Sequence, residues 1–288
     1  MAILLSEENP LHASPALYVV ATPLGNRQDI TLRALAVLKA VGTVAAEDTR
    51  HSMRLLDAHG IKPRLLALHE HNEQEGATRI IALLEAGQHV ALITDAGTPA
   101  VSDPGARLVA RVQDAGYQVV PVPGPCAAIA ALSASGLSTP HFHFVGFLPN
   151  KTTARKAVLE GLRGLDAALV FYEAPHRVLE TVEDLSAVLE PTREIVFGRE
   201  LTKLFEQIAR MPLSEALEWI KADPNRQRGE FVILVGPAPQ VEGIPPEAER
   251  VLKLLLAELP LKSAAKLAAE ITGVAKNALY DFALTLKK

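Results

Sequence analysis

The stretch V-A-L-I-T-D-A-G-T-P-A-V-S-D-P-G, residues 90–105, decides how this chain folds. It begins as a short apolar run, which is typical of a buried strand, and continues into a loop of acids, small residues and prolines. Gly97 lets backbone approach a ligand without a Cβ in the way. Asp95 directly follows the strand, where a carboxylate is costly unless it is paired. These features predict a ligand-binding loop.

The same loop predicts the start of a helix. Ser102 or Asp103 is expected to cap a helix that begins at Pro104 and ends at Gly116. The loop contains neither the G-x-x-x-x-G-K-S/T pattern of triphosphate sites nor the G-x-G-x-x-G pattern of dinucleotide sites. The sequence therefore does not support a nucleoside triphosphate or a dinucleotide as the ligand.

Short apolar runs and helical periodicity alternate on both sides of this loop. The alternation predicts an α/β fold with a largely parallel sheet in the first half and a mixed sheet in the second. Strands are expected at Leu17–Ala21, Val41–Ala46, Arg64–Leu68, Val90–Thr94 and Gln118–Val122, then at Phe142–Phe147, Ala168–Tyr172, Glu194–Gly198, Leu204–Arg210 and Glu230–Val235.

Changes in composition along the chain suggest four parts. We expect a tail at 1–15, an N-terminal α/β domain at 16–125, a second α/β domain at 126–240 and a helical module at 241–288. A linker rich in proline and glycine, Gly236–Pro246, precedes the module. Residues 261–286 fit a helix-turn-helix, and two roles stay open for this module: contact with nucleic acid through its lysines, or packing alone.

The composition limits the possible functions. Hydrophobic residues make up 49% of 288, enough for a large core, and no run approaches the roughly 18 apolar residues of a membrane span. The single cysteine argues against a disulfide framework and a cysteine-rich zinc site. We expect a cytoplasmic protein with no signal peptide, no membrane partner and no metal. With a net charge of −4, any binding of nucleic acid must rest on a local basic patch, and Arg155 and Lys156 are candidates for it.

Small and polar residues follow four of the predicted strands. They form T-P-L-G-N at 22–26, E-D-T-R at 47–50, D-A-G-T-P at 95–99 and P-G-P at 123–125. Since ligands of open α/β sheets bind beyond the carboxyl ends of the strands, the four loops predict one pocket.

Several long motifs resemble those of a known family. They are A-T-P-L-G-N (21–26), A-E-D-T-R-H-S (46–52), D-A-G-T-P-A-V-S-D-P-G (95–105), F-Y-E-A-P-H-R (171–177) and G-R-E-L-T-K (198–203). The set resembles the ribosomal RNA small subunit methyltransferase I family, a branch of the tetrapyrrole methylase-like (class III) methyltransferases. The likeness runs from about residue 17 to the C-terminus.

The resemblance implies a fold, a cofactor and a reaction. The fold would be two α/β domains of the tetrapyrrole methylase type with S-adenosylmethionine between them, in a homodimer. The reaction would be transfer of a methyl group to the ribose 2′-hydroxyl of a cytidine in the decoding region of 16S rRNA. The substrate would be the assembled small ribosomal subunit, the product S-adenosylhomocysteine, and DNA would not be a partner.

The resemblance also implies site residues. Those expected at the cofactor are Pro23, Gly25, Asp95, Ala96, Gly97, Thr98, Val101, Ser102, Pro123, Gly124, Cys126, Ala127, Phe171 and Tyr172, the last two closing over the adenine. Those expected at the substrate are Asn26, Asp29, Glu47, Arg50, His51, His71 and Arg199.

A hydroxyl is a weak nucleophile, so a base or cation that helps its proton to leave should accelerate the reaction. Asp48, Lys203 and Glu206 are the candidates, while Glu47, Asp48 and Arg50 could instead form a structural ion-pair cluster. Two other functions stay open. A tetrapyrrole methyltransferase of the same fold would need an aromatic-lined cleft, and aromatic residues make up only 5% of this chain. A non-catalytic RNA-binding or assembly protein would be expected to have eroded cofactor loops.

Overall fold

The computed structural model describes residues 10–69, 72–239 and 243–286. The chain forms two compact units, one through residue 238 and one from residue 239 onward. The first unit contains two five-stranded sheets. The boundary predicted near residue 125 falls between these sheets, within one unit, and stays a prediction.

The first sheet is entirely parallel, as predicted. Its strands are β1 (Ala16–Val20), β2 (Thr43–Ala46), β3 (Arg64–Ala67), β4 (Val90–Ile93) and β5 (Gln118–Val122). Their order is β3-β2-β4-β1-β5, which places the loop after β4 at the middle of the sheet. All four loops singled out in the sequence therefore leave the same edge.

Helices cover both faces of the first sheet, which explains why its strands are apolar on both sides. The helices are α1 (Leu32–Ala40), α2 (Thr49–Ala58), α3 (Glu73–Glu85) and α4 (Ala106–Asp114), with a 3-10 turn at Arg27–Asp29. Tyr18 and Val20 lie on the face of the sheet that packs with α1 and α2, whereas the opposite face packs with α3 and α4.

The predicted cap of α4 is wrong. The helix begins at Ala106, and neither Ser102 nor Asp103 caps it. Instead Glu73, at the start of α3, accepts hydrogen bonds from the backbone N–H groups of Gly105, Arg107 and Leu108, each at 3.1 Å. Its carboxylate is buried, so a side chain from another helix holds the end of the 95–105 loop.

The second sheet is mixed, again as predicted. Its strands are β6 (Phe142–Phe147), β7 (Ala168–Glu173), β8 (Glu194–Arg199), β9 (Gln207–Pro212) and β10 (Phe231–Val235), in the order β6-β7-β10-β8-β9. Only the β6–β7 pair is parallel. One face packs against α6 (Thr152–Leu162), α7 (Val178–Val188) and α8 (Leu213–Ala222), and the other against α5 (Ala127–Ala134).

Two expectations for this half are wrong. The strand predicted from Leu204 begins at Gln207, because Leu204 and Phe205 lie in an exposed turn. Arg155 is fully buried and donates to Asp184 at 2.6 Å, so it is part of the core and not of a basic surface.

The second unit is a small helical module of α9 (Pro246–Glu258), α10 (Leu261–Thr272) and α11 (Lys276–Leu286). Leu252, Ala268 and Leu279 lie in its core. Gly273 ends α10 with φ +73°, which is the turn glycine that the helix-turn-helix pattern predicts. Within the described ranges, no helix is long and apolar enough to cross a bilayer.

Candidate active site

A cavity of about 340 Å³ lies in the first unit, where the carboxyl edge of the first sheet meets the second sheet. Eight of the residues expected at a cofactor line it: Ala96, Gly97, Thr98, Val101, Ser102, Cys126, Ala127 and Tyr172. Sequence reasoning missed ten further lining residues: Leu24, Asp103, Phe147, Glu173, Ala174, Pro175, Leu201, Glu230, Phe231 and Val232.

The 95–105 loop is held in an unusual conformation. Gly97 has φ +83° and exchanges two backbone hydrogen bonds with Thr22, at 2.8 and 3.0 Å. Ala100 and Ser102 are also left-handed, with φ +66° and +65°. Such strain in non-glycine residues gathers at functional sites. The residues that line the cavity therefore include some in a strained backbone conformation, which is typical of a functional site.

A bulge in β6 brings the second sheet against this loop. Gly146 has φ +73°, and a Cβ there would lie 2.8 Å from Ser102 Oγ. A larger residue would push the loop away. A lone glycine within an alternating strand often marks a bulge or a close approach of another segment, so the role of Gly146 could have been predicted from the sequence.

Tyr172 and Phe147 give the cavity an aromatic wall, with their rings 5.8 Å apart, edge to face. The Tyr172 hydroxyl accepts a hydrogen bond from the backbone N–H of Ala128 at 3.1 Å. Burial raises the pKa of Tyr172, so the phenol stays neutral. This wall suits a flat aromatic ligand.

Phe171 does not belong to this wall, so the contact predicted for it is wrong. Its side chain is fully buried in the core between β7, α7 and α8. Successive residues of a strand face opposite sides, so only one of Phe171 and Tyr172 can reach the cavity.

Five other predicted cofactor residues lie outside the lining: Pro23, Gly25, Asp95, Pro123 and Gly124. Two of the five, Gly25 and Gly124, are glycines that allow close packing. A Cβ on Gly124 would lie 2.9 Å from the Cβ of Ala21, and one on Gly25 would overlap Lys203 Cγ. The two glycines therefore allow the loops after β1 and β5 to pack closely against their neighbours.

Three carboxylates, Glu47, Asp95 and Asp103, form an acidic cluster around Thr94. The Thr94 hydroxyl donates to Glu47 at 3.2 Å, and Asp95 accepts from the backbone N–H of Asp48 at 3.3 Å. Burial, with the charges of Glu47 and Asp95, raises the pKa of Asp103 to about 6, against a hydrogen bond with Thr94. Among the described residues, none of the three forms an ion pair. The cavity thus has a negative end that a cationic ligand would neutralise.

Asp48, a predicted catalytic residue, caps α2. Its carboxylate accepts from the backbone N–H groups of Arg50 at 2.8 Å and His51 at 3.3 Å, and these bonds lower its pKa. Arg50 also approaches it at 3.6 Å. The geometry favours the structural alternative for Asp48.

Lys203 and Glu206, the other two catalytic candidates, lie in a loop of residues 200–206, named here the clasp loop. Lys203 Nζ donates to Glu200 at 2.9 Å and to Glu230 at 2.8 Å. Burial alone would lower the pKa of Lys203, but these bonds outweigh it and raise the pKa. Glu206 accepts from the backbone N–H of Thr202. Neither side chain lines the cavity, and Lys203 stays a cation.

The residues predicted at the substrate are spread around the carboxyl edge. Asn26 caps the 3-10 turn through Gln28 N, and Arg50 and His51 are exposed on α2. Arg199 donates to Gln207 and to the carbonyl of Arg228. The structure brings Glu47 into the acidic cluster and half-buries Asp29. His71 lies outside the described residues. In the described part of the chain, no three His, Cys, Asp or Glu side chains are placed to hold a metal ion.

Comparison with known proteins decides the family. The model of the Tetrapyrrole (Corrin/Porphyrin) Methylases matches residues 16–217, and that of the RsmI C-terminal HTH domain matches residues 242–287. The chain belongs to the tetrapyrrole methylase family. It is a methyltransferase, and its fold class and the resemblance seen in its motifs are confirmed.

Curated relatives narrow the family. Ribosomal RNA small subunit methyltransferase I of Escherichia coli O157:H7 is 54% identical over 269 residues, covering 93% of this chain and 94% of the relative. The protein of the same name from Pseudomonas aeruginosa is 56% identical over 271 residues, covering 93% and 96%. The chain therefore belongs to the ribosomal RNA small subunit methyltransferase I family.

Solved structures support the fold alone. The methyltransferase CobJ aligns with a TM-score of 0.58 at 24% identity, covering 78% of this chain and 95% of its own. A uroporphyrin-III-C-methyltransferase from Thermus thermophilus aligns with a TM-score of 0.55 at 23% identity, covering 77% and 94%.

Proposed function

We propose that this methyltransferase transfers a methyl group from S-adenosylmethionine to the ribose 2′-hydroxyl of a cytidine in the decoding region of 16S rRNA. The substrate is the assembled small ribosomal subunit in the cytoplasm, and the enzyme works as a homodimer. The observation that carries the proposal is the identity of 54–56%, over 93% of the chain, with relatives whose name, ribosomal RNA small subunit methyltransferase I, gives the RNA of the small subunit as the substrate.

The cavity fits the proposed cofactor. Its volume of about 340 Å³ lies within the range of small-molecule sites. Tyr172 and Phe147 offer a wall for the adenine ring, and the acidic cluster offers a counter-charge for a cation. When bound, S-adenosylmethionine supplies a methyl carbon already activated by a positively charged sulfur.

The chain would hold the cofactor mainly through loop backbone. Ala96–Thr98, Val101 and Ser102 supply one side of the cavity, and Cys126 and Ala127 at the start of α5 supply another. Much of the rate acceleration then comes from orientation, because holding two reacting groups in line removes an entropic cost.

Asp103 is the residue proposed to receive the proton. As a carboxylate in the lining it balances the positive charge of the donor before transfer. Bound S-adenosylmethionine would supply the methyl group, and its loss of positive charge would balance the proton released by the hydroxyl. Asp103 would accept that proton, so the net charge of the cavity would be unchanged.

The three original candidates take supporting roles in this scheme. Asp48 positions the start of α2, Glu206 fixes the clasp loop and Lys203 joins that loop to Glu230 at the cavity. Asn26, Asp29, Arg50, His51 and Arg199 remain proposed contacts of the RNA.

Transfer of labelled methyl from S-adenosylmethionine tests the proposal. Small subunits that lack the modification, naked 16S rRNA and a tetrapyrrole precursor are compared as acceptors. We expect label in the subunits and little in the other two. Label in the tetrapyrrole would identify a small-molecule methyltransferase, and cofactor binding without transfer to any acceptor would contradict the proposed reaction.

A further inference from the structure

The clasp loop exposes two large apolar side chains. Leu204 is 90% exposed and Phe205 is 67% exposed, although the loop lies between two well-paired strands. Exposed apolar groups on a protein surface often mark a binding site.

The clasp loop is also held by several hydrogen bonds. Glu200 and Thr202 have φ of +50° and +67°, a conformation that costs energy in residues other than glycine. The bonds of Lys203 and Glu206 described above hold it. The hydroxyl of Thr202 accepts from the backbone N–H of Asn26 at 3.2 Å, which ties the loop to the first sheet. Leu204 and Phe205 are therefore presented on a fixed backbone.

The clasp loop borders the cavity. Leu201 lines the cavity, and so does Glu230, to which Lys203 is bonded. Leu204 and Phe205 do not line the cavity themselves, but they follow Lys203 directly in the same loop.

The segment that the clasp loop contacts, at Asn26, also carries a cation, Arg27. Arg27 follows Asn26, is exposed, and has no ion pair or side-chain hydrogen bond among the described residues. An exposed guanidinium and an exposed aromatic ring, on two segments joined by the hydrogen bond between Asn26 and Thr202, suit single-stranded nucleic acid, since a cation contacts phosphate and a ring stacks on a base.

We propose that Phe205 stacks on an unpaired nucleobase of the substrate RNA next to the target nucleotide, with Arg27 on a neighbouring phosphate. This inference rests on the proposed function, because it takes RNA as the substrate. Leu204 extends the apolar platform. A second copy of this chain is the competing occupant of the same surface.

Binding of unmodified small subunits to Phe205 variants tests the stacking. We expect Phe205→Ala and Phe205→Leu to weaken binding roughly tenfold or more and to raise the KM for subunits, while Phe205→Trp restores binding because it keeps a ring. Affinity for S-adenosylmethionine should not change. Phe142→Ala is the matched control, because Phe142 is 48% exposed at the opposite end of β6 from the lining residue Phe147.

The salt dependence of the same binding tests Arg27. Arg27→Ala should reduce the slope of log affinity against log salt by about one, the signature of one lost phosphate contact. Arg64→Ala is the control. Arg64 is exposed at the start of β3, at the edge of the first sheet opposite to the carboxyl edge.

The outcomes separate this inference from the proposed function. Unchanged subunit binding by Phe205→Ala overturns the stacking, and so does full binding by Phe205→Leu. A change of oligomeric state in light scattering, with unchanged affinity per active site, assigns the surface to a second copy and also overturns it. If the wild-type enzyme binds subunits but transfers no methyl, the proposed reaction fails while this binding surface stands.

Discussion

Asp103 is the residue on which the proposed chemistry depends most. Replacement by Asn removes the charge but keeps the shape, so we expect kcat/KM to fall by roughly 10²–10⁴-fold. The wild-type profile should lose activity as the pH falls through about 6, where Asp103 gains its proton, and the variant should lack this acid limb. An acid limb that persists in Asp103→Asn would contradict the role.

The raised pKa of Asp103 also leads to a prediction about the stability of the fold. The pKa of Asp103 is raised in the folded protein, so its contribution is most favourable below the unfolded value of 3.8 and is lost as pH rises through about 6. Asp103→Asn should therefore stabilise the fold at pH 8 by about 1 kcal/mol after allowing for solvent screening, or roughly 2–4 °C in Tm. The gain should vanish near pH 4. Asp166→Asn, in an exposed loop, is the control and should show no such pH dependence.

Sequence reasoning located the 95–105 loop but misjudged Asp103, for an identifiable reason. Asp-Pro-Gly is a common helix start, and the local sequence does not reveal that Glu73, about thirty residues earlier, supplies the cap. The error at Phe171 has a related cause. Because β7 is buried on both faces, both Phe171 and Tyr172 look like core, and only the packed sheet shows which face carries the cavity.

At the level of elements, Glu73 couples α3 to the cavity loop. Glu73→Ala would leave three backbone N–H groups, those of Gly105 and Leu108 buried, without their acceptor, so we expect a loss of about 1–3 kcal/mol in the free energy of unfolding. Amide exchange in residues 95–108 should speed up. Glu75→Ala is the matched control, since Glu75 is exposed and forms an ion pair with the exposed Arg79. Equal losses in the two variants would contradict the capping role.

The strands were predictable where burial is continuous and less so where an apolar residue is exposed. The five parallel strands appear in the sequence as short apolar runs because helices cover both of their faces. Leu204 and Phe205 resemble a strand in sequence, yet they belong to the turn before β9. Exposure of this kind depends on the tertiary fold.

At the level of the whole molecule, the helical module has its own core and carries exposed lysines. Lys262, Lys266 and Lys276 lie on its surface. Reversing all three to Glu should weaken affinity for small subunits, because each reversal replaces attraction to phosphate with repulsion. Affinity for S-adenosylmethionine should stay the same, as all the described residues that line the cavity belong to the first unit. Unchanged subunit binding would leave the module with a packing role only.

The enzyme is proposed to methylate a ribose oxygen, and the position of a labelled methyl group in the RNA distinguishes this reaction from methylation of a base. Small subunits are methylated with labelled S-adenosylmethionine, and their 16S rRNA is hydrolysed with alkali. A methylated 2′-oxygen cannot attack the neighbouring phosphodiester, so we expect label in a single alkali-resistant dinucleotide that begins with cytidine. Label released in ordinary mononucleotides would place the methyl group on a base and contradict the account.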